Sequence, residues 1–292
     1  MHVPVSVVIH TLNEEKNIKN CLESVKWADE IVIIDMFSED KTVEIARQYT
    51  NSIFLHERCG GYADPARQFG LSKTTNEWVL AVDADELVPV SLKERLLQLA
   101  AEDACEIVYI PMLNYLFGQQ MRGCGWGVDQ VWHVRFFKKS YVGYSSQIHN
   151  YLSIIRPGTR SFRLYGEEHA LVHFNYIDFE HFLEKLNRYT TIEAKSAYLA
   201  GKKFNLEESW QKSISQLQDI AVNKGGYERD GVYGLGLGLL MTLYHFTCAL
   251  KLKSMEEYQT IDPGSIIRDK YQTIAEQLLR EYEVTGGINS DP

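Results

Sequence analysis

Apolar and polar positions alternate in blocks along the first hundred residues. Residues 5–12 (VSVVIHTL), 30–36 (EIVIIDM), 52–57 (SIFLHE) and 78–83 (WVLAVD) are short Val/Ile/Leu-rich runs. Such runs read as strands covered on both faces, as in a parallel sheet. Between them, residues 13–27, 38–49 and 64–75 take helical spacing, with Asn13 and Ser38 placed as N-caps and Pro65 near the start of the third helix. Strand, helix, strand, helix, strand, helix, strand predicts an α/β fold, a doubly wound half with helices on both faces of the sheet.

Ligands of such sheets bind beyond the carboxyl ends of the strands. Three polar stretches fall there: His10 to Glu14, Asp35 to Asp40, and Asp83 to Glu86. The spacing of Asp83 and Asp85 sets both on one side of an extended chain, facing one divalent cation or one cation-bound phosphate. The alternative is a solvated turn with Glu86 drawn to a helix N-terminus.

Beyond residue 100 the pattern changes. Residues 105–118 (CEIVYIPMLNYLFG) read as a strand, followed by a Gly- and Trp-rich stretch to residue 139 and short strands around 143–152. From Asp178 the apolar positions Phe179, Phe182, Leu186, Tyr189 and Ile192 take helical spacing. The predicted organisation is a first domain over 1–175, with halves 1–100 and 101–175, then a helical region over 176–284 and a flexible tail over 285–292. Residues 231–253 form an apolar segment close to the ~20 residues that span a bilayer. Its glycines, His245 and the flanking Arg229, Lys251 and Lys253 suit an interfacial helix whose cations meet lipid headgroups. A buried core helix and a true span are the other readings.

Composition narrows the partners. With 45% hydrophobic and 24% charged residues over 292 positions the chain is of globular type, and a net charge of −9 argues against nucleic acid as the main partner. Five cysteines without a C-x-x-C pair read as reduced thiols. No basic-then-apolar secretory segment opens the chain, so a cytoplasmic location is expected.

The stretches SVVIHTLNEEKNI, EIVIIDMFSEDKTVEIA and EWVLAVDADEL, in this order, resemble the family 2 inverting glycosyltransferases of GT-A fold. The later GWGVDQVWHVRFFKK, IHNYL and LVHFNYIDFEHFLEKLNRYT resemble the branch that contains lipopolysaccharide-core glucosyltransferases. The resemblance implies transfer of a hexose from a nucleotide sugar, with a UDP-sugar as the expected donor. The acceptor would be a glycan or lipid-linked acceptor of cell-envelope synthesis, with the enzyme peripheral on the inner membrane face. It implies Thr11, Asn13 and Glu14 at the nucleoside, Asp35 and Ser38 at the base, Arg67 near Asp35 or the phosphates, and Asp83 and Ala84 at the ribose. Asp85, with Asp83 and His173, would hold Mn or Mg, which neutralises the diphosphate as the nucleotide departs. Inversion also needs a group that takes the acceptor proton. Relatives often have His-Glu where this chain has His149-Asn150, and an amide does not accept that proton. Asp129, His149 and Glu168 are the candidates, Asp129 first. Two other readings stay open: a non-catalytic nucleotide-sugar-binding or scaffold protein, and a phosphotransferase of the haloacid dehalogenase type with Asp83 as nucleophile.

Overall fold

A computed structural model describes residues 2–57, 64–144 and 152–286. The first elements follow the predicted alternation: β1 (Val5–Thr11), α1 (Ile18–Val25), β2 (Glu30–Asp35), α2 (Thr42–Ala46), β3 (Ile53–Leu55), α3 (Asp64–Lys73) and β4 (Trp78–Asp83). There follow β5 (Glu86–Leu87), α4 (Val90–Ala101), β6 (Ile107–Leu116), β7 (Gln119–Gln120), β8 (Trp132–Lys138), β9 (Val142–Gly143), β10 (Ser153–Ile154), β11 (Ser161–Arg163) and β12 (Leu171–Tyr176). Four helices close the chain: α5 (Phe179–Leu199), α6 (Leu206–Gln218), α7 (Gly226–Tyr258) and α8 (Pro263–Gly286).

The main sheet has the order β3-β2-β1-β4-β8-β6-β12-β5. Its first four strands are parallel, β8 is antiparallel to both β4 and β6, and β12 is parallel to β6. Every residue of β1 is buried, because helices cover both faces of the strand. On α1 the buried positions Ile18, Cys21, Leu22 and Val25 follow the three-four spacing of one helix face. Leu22 is fully buried in the core, and Leu22→Ala there costs about 2–5 kcal/mol. Trp78 of β4 stacks on Phe136 of β8 at 4.5 Å between centroids, which ties the antiparallel addition to the parallel half.

Two predicted helix starts are corrected. Asn13 is not an N-cap: it sits at φ 57°, its N–H donates to Ser38 Oγ at 2.8 Å, and its Oδ1 accepts the Glu39 N–H at 2.8 Å. Ser38 is likewise occupied by that contact, and the carboxylate of Asp40 accepts the Thr42 N–H at 2.9 Å instead. The turns after β1 and β2 hydrogen-bond to each other, so both helices begin later than their sequence signals suggest.

The chain divides into two compact units, residues 1–182 with 219–237, and residues 183–218 with 238–292. Residues 219–237 join the first because Asp230 accepts the N–H groups of Arg122 and Gly123 at 2.7 and 2.8 Å, and Gln130 donates to the Lys224 carbonyl at 2.9 Å.

In the second unit, Leu239, Leu243 and Leu250 of α7 and Leu206, Trp210 and Ile214 of α6 are exposed. That exposure does not fit a buried core helix. Among the described residues, α7 is the one helix long and apolar enough to cross a membrane. The cations expected to meet headgroups are engaged within the protein. Lys251 turns inward to the carbonyl and side chain of Asn187 and to Thr190 and Thr191, at 2.7–2.9 Å. Lys253 faces Glu257 at 3.6 Å, and Arg229 pairs with Asp129.

Candidate functional site

Parallel pairing brings the three polar strand ends side by side. Thr11 is the register partner of Asp35, and His10 lies opposite Ile34 on one side and Asp83 on the other. Asp35 is 1% exposed: its Oδ2 accepts the Ser38 N–H at 2.9 Å, while its Oδ1 has no partner. Thr11 Oγ1 and His10 Nδ1 are also buried without partners. Buried polar atoms left unpaired cost about 1–3 kcal/mol each, so three together at one sheet edge point to a ligand that supplies the missing hydrogen bonds. A cavity of about 710 Å³ opens beside them, lined by Asp35, Phe37, Ser38, Glu39, Val43, Leu55 and Glu57. Asn13 and Glu14 are spent on the turns: Glu14 receives the Asn17 amide at 2.8 Å and gives its N–H to Thr42 Oγ1 at 2.7 Å.

His10 is held neutral. Burial, helped by the Arg67 charge, pulls it down to about 3. Gly70 of α3 makes room for this ring, since a Cβ there would lie 2.8 Å from His10 Nε2.

The acids of the DADE turn are held by two arginines and a histidine. Asp83 accepts from Arg67 at 3.1 Å and from Arg135 at 2.8 Å. Burial works against its charge, but the two guanidiniums outweigh it and hold Asp83 well below the usual carboxylate range. Arg67 is thus no surface arginine, and its guanidinium lies on Asp83 with the side chain 14% exposed. Ala84 is buried. Glu86 is fully buried in β5, accepts from Arg135 at 2.7 Å and from the Asp83 N–H at 2.8 Å, and is not at a helix N-terminus. Burial pushes it up to about 7 against the pull of Arg135.

Asp85 faces His173 of β12, with Oδ2 and Nε2 3.5 Å apart. Asn114 donates its amide to the Trp126 carbonyl at 2.9 Å, so its Oδ1 faces His173 Nδ1 at 3.0 Å and takes that N–H. This leaves the Nε2 lone pair of the neutral ring directed at Asp85, the arrangement that second-shell partners give to metal-binding histidines. Burial lowers the basicity of His173 but Asp85 more than restores it, and the net shift is upward. Two lone-pair donors this close hold either a proton or a cation between them. A carboxylate oxygen and an imidazole nitrogen could give a divalent cation such as Mn two ligands. Among the described residues no group of three or more His, Cys, Asp or Glu could hold a metal.

Asp129 lies on the loop before β8. Arg229 grips both its oxygens at 3.0 and 2.8 Å and holds its carboxyl below the ordinary range, which makes it a weaker proton acceptor than the sequence suggests. Glu168 has an exposed side chain, and its carbonyl accepts from Ser91 Oγ. His149 and Asn150 lie outside the described residues. Sequence reasoning missed Arg135, Glu86 as its partner and Asn114, and placed His10 in a strand-end stretch without giving it a role. A single arginine inside the apolar WHVRFF run was the available signal, since a buried cation demands a carboxylate.

A carboxylate-bearing edge of a mostly parallel sheet, with a cavity beside unpaired polar groups, defines a nucleotide-binding type of α/β fold. The chain belongs to glycosyl transferase family 2, whose family model matches residues 6–167, and it is a glycosyltransferase of GT-A type. It is 29% identical over 211 residues to the lipopolysaccharide core biosynthesis glycosyltransferase LpsC of Rhizobium meliloti, covering 69% of this chain and 74% of that protein. An uncharacterized glycosyltransferase of Rickettsia typhi is 26% identical over 209 residues, with 69% and 70% covered. Among solved structures, S. aureus TarS 1-349 superposes with a TM-score of 0.46 at 16% identity, covering 88% of this chain and 91% of that one. Membership of the family replaces the phosphotransferase reading.

Proposed function

We propose that this enzyme transfers a hexose, with inversion, from a UDP-sugar to a glycan or lipid-linked acceptor of cell-envelope synthesis, with a divalent cation held by Asp85 and His173. The observation that carries the reading is the convergence of the unpaired Asp35 and Thr11 oxygens with the Asp85–His173 pair at one sheet edge. Asp35 Oδ1 accepts an N–H of the base, while Phe37 and Leu55 offer apolar walls to its ring. Thr11 meets the nucleoside, and Asn13, Glu14 and Ser38 shape its pocket by fixing the turns. Asp83, with Ala84, faces the ribose, and Arg67 adds positive charge toward the diphosphate. When bound, the cation neutralises the diphosphate and so stabilises the leaving nucleotide. Asp129 takes the acceptor proton once Arg229 lets go of it, with His149 and Glu168 as the other candidates.

The similarity to LpsC supports an envelope acceptor. The exposed apolar stripe of α7 with Trp210 supports docking on the inner membrane face through nonpolar contact alone, since Arg229, Lys251 and Lys253 are engaged elsewhere. The test is nucleotide release from UDP-glucose, UDP-GlcNAc and UDP-galactose in the presence of envelope lipid extracts and Mn. Acceptor-dependent UDP release from one donor, abolished in Asp85→Ala, is the expected result. Release that needs no acceptor, or that survives the substitution, would sink the reading.

A further inference from the structure

Building on the donor reading above, we infer that the imidazole of His133 in β8 hydrogen-bonds a phosphate oxygen of the nucleotide sugar's diphosphate. Sheet order puts the residue on that path. β8 lies between β4, which ends in Asp83, and the β6–β12 pair that carries Asn114 and His173. β4 and β8 pair antiparallel with Trp78 opposite Lys138, so β8 begins where β4 ends. His133 is the second residue of β8. It therefore stands between the carboxylate assigned to the ribose and the Asp85–His173 pair assigned to the cation. In a nucleotide sugar, the diphosphate is the group that spans that interval.

The ring is exposed, yet the surrounding protein and then the Arg135 charge pull it down to about 4, and the charges of Asp83, His173 and Arg67 also act on it. A side chain that is both open to solvent and crowded by protein lies in a cleft, not on a convex surface. Among the described residues, no hydrogen bond, ion pair or ring contact engages it. A bulge explains why. The β6 register passes from Val108 opposite Phe136 to Tyr109 opposite Val134, which leaves Arg135 as the extra residue. Arg135 turns to Asp83 and Glu86, while His133 rejoins the ladder opposite Ile110 and does not follow it into the buried ion pairs. A neutral imidazole keeps one N–H donor and one lone pair, and ionised phosphate oxygens only accept. Arg67 and Arg135 already donate to Asp83, and Arg135 also to Glu86, so the imidazole N–H is a donor that the protein itself leaves for the ligand.

Nucleotide affinities are measured on the full-length protein with Mn present, by displacement of a fluorescent UDP analogue, for wild type, His133→Phe and His133→Gln. His133→Phe should weaken UDP about tenfold or more, the size of one hydrogen bond to a charged group, and leave uridine within about twofold. His133→Gln keeps an N–H donor and should retain most of the UDP affinity, a rescue that a packing role does not produce. UDP affinity untouched by His133→Phe overturns the inference, and does so in favour of a sugar contact if the affinity for UDP-glucose or UDP-GlcNAc alone falls. Equal weakening of UDP and uridine overturns it in favour of a packing role. A wild type that binds none of these nucleotides removes the donor reading itself, and the inference with it.

Discussion

Arg135→Met is the substitution that bears most on how the acidic turn is built. The guanidinium is 12% exposed and bridges Asp83 Oδ2 at 2.8 Å and the fully buried Glu86 Oε1 at 2.7 Å. Removing one member of a buried ion pair costs about 3–5 kcal/mol, because the partner is left charged and dry. The low end applies, since Asp83 keeps Arg67 and Glu86 is already raised to about 7 and takes a proton readily. The expected loss is therefore about 3 kcal/mol, read from the urea midpoint of the transition that reports the first unit. Adding Glu86→Gln removes the stranded carboxylate and keeps an acceptor for the Asp83 N–H. The double variant should then recover at least ~1 kcal/mol, a coupling well above the additivity error of distant sites. A single-variant loss below ~1 kcal/mol, or a glutamine whose cost simply adds, would refute the claim that this buried pair holds the turn.

Further outcomes follow from the same geometry. Asp129→Asn should abolish turnover while leaving donor binding intact; unchanged turnover would move the proton acceptor to His149 or Glu168. If Asp129 is that acceptor, Arg229→Gln releases a carboxyl now held below its ordinary value, so the acid limb of the kcat/KM profile should shift to higher pH; an unmoved limb argues against the role. Gly70→Ala forces its methyl onto His10 Nε2 at 2.8 Å and onto Ile34 and Val8 at 3.0 Å, and should lower stability by about 1–3 kcal/mol in thermal melts. Leu239→Glu with Leu243→Glu should reduce flotation with neutral vesicles several-fold; equal flotation would remove α7 as a membrane contact.

The parallel half was readable in the sequence because its signals are local. Each of β1, β2 and β4 is a continuous apolar run that ends in polar residues, and adjacent parallel strands bring those ends together without further information. The arginine partners of Asp83 were not readable: Arg135 reaches it across 52 residues through antiparallel β8. His173, expected beside Asp85, reaches it because β12 pairs with β5. Helix starts were misplaced where a local cap signal met a tertiary competitor, as with Asn13 and Ser38. The cations around 231–253 look headgroup-directed in sequence, but the ammonium of Lys251 finds four oxygen contacts on the neighbouring helix α5.

The central claim is that a nucleotide-sugar diphosphate binds this sheet edge through a cation on Asp85 and His173. Calorimetric titration with UDP-glucose, UDP-GlcNAc, UDP-galactose and GDP-mannose, each with and without Mn, tests it directly on wild type, Asp85→Ala and His173→Ala. The account predicts Mn-dependent binding of one UDP-sugar, weakened at least tenfold in both variants while their melting temperatures stay close to wild type. Donor binding that ignores Mn and survives both substitutions would contradict it.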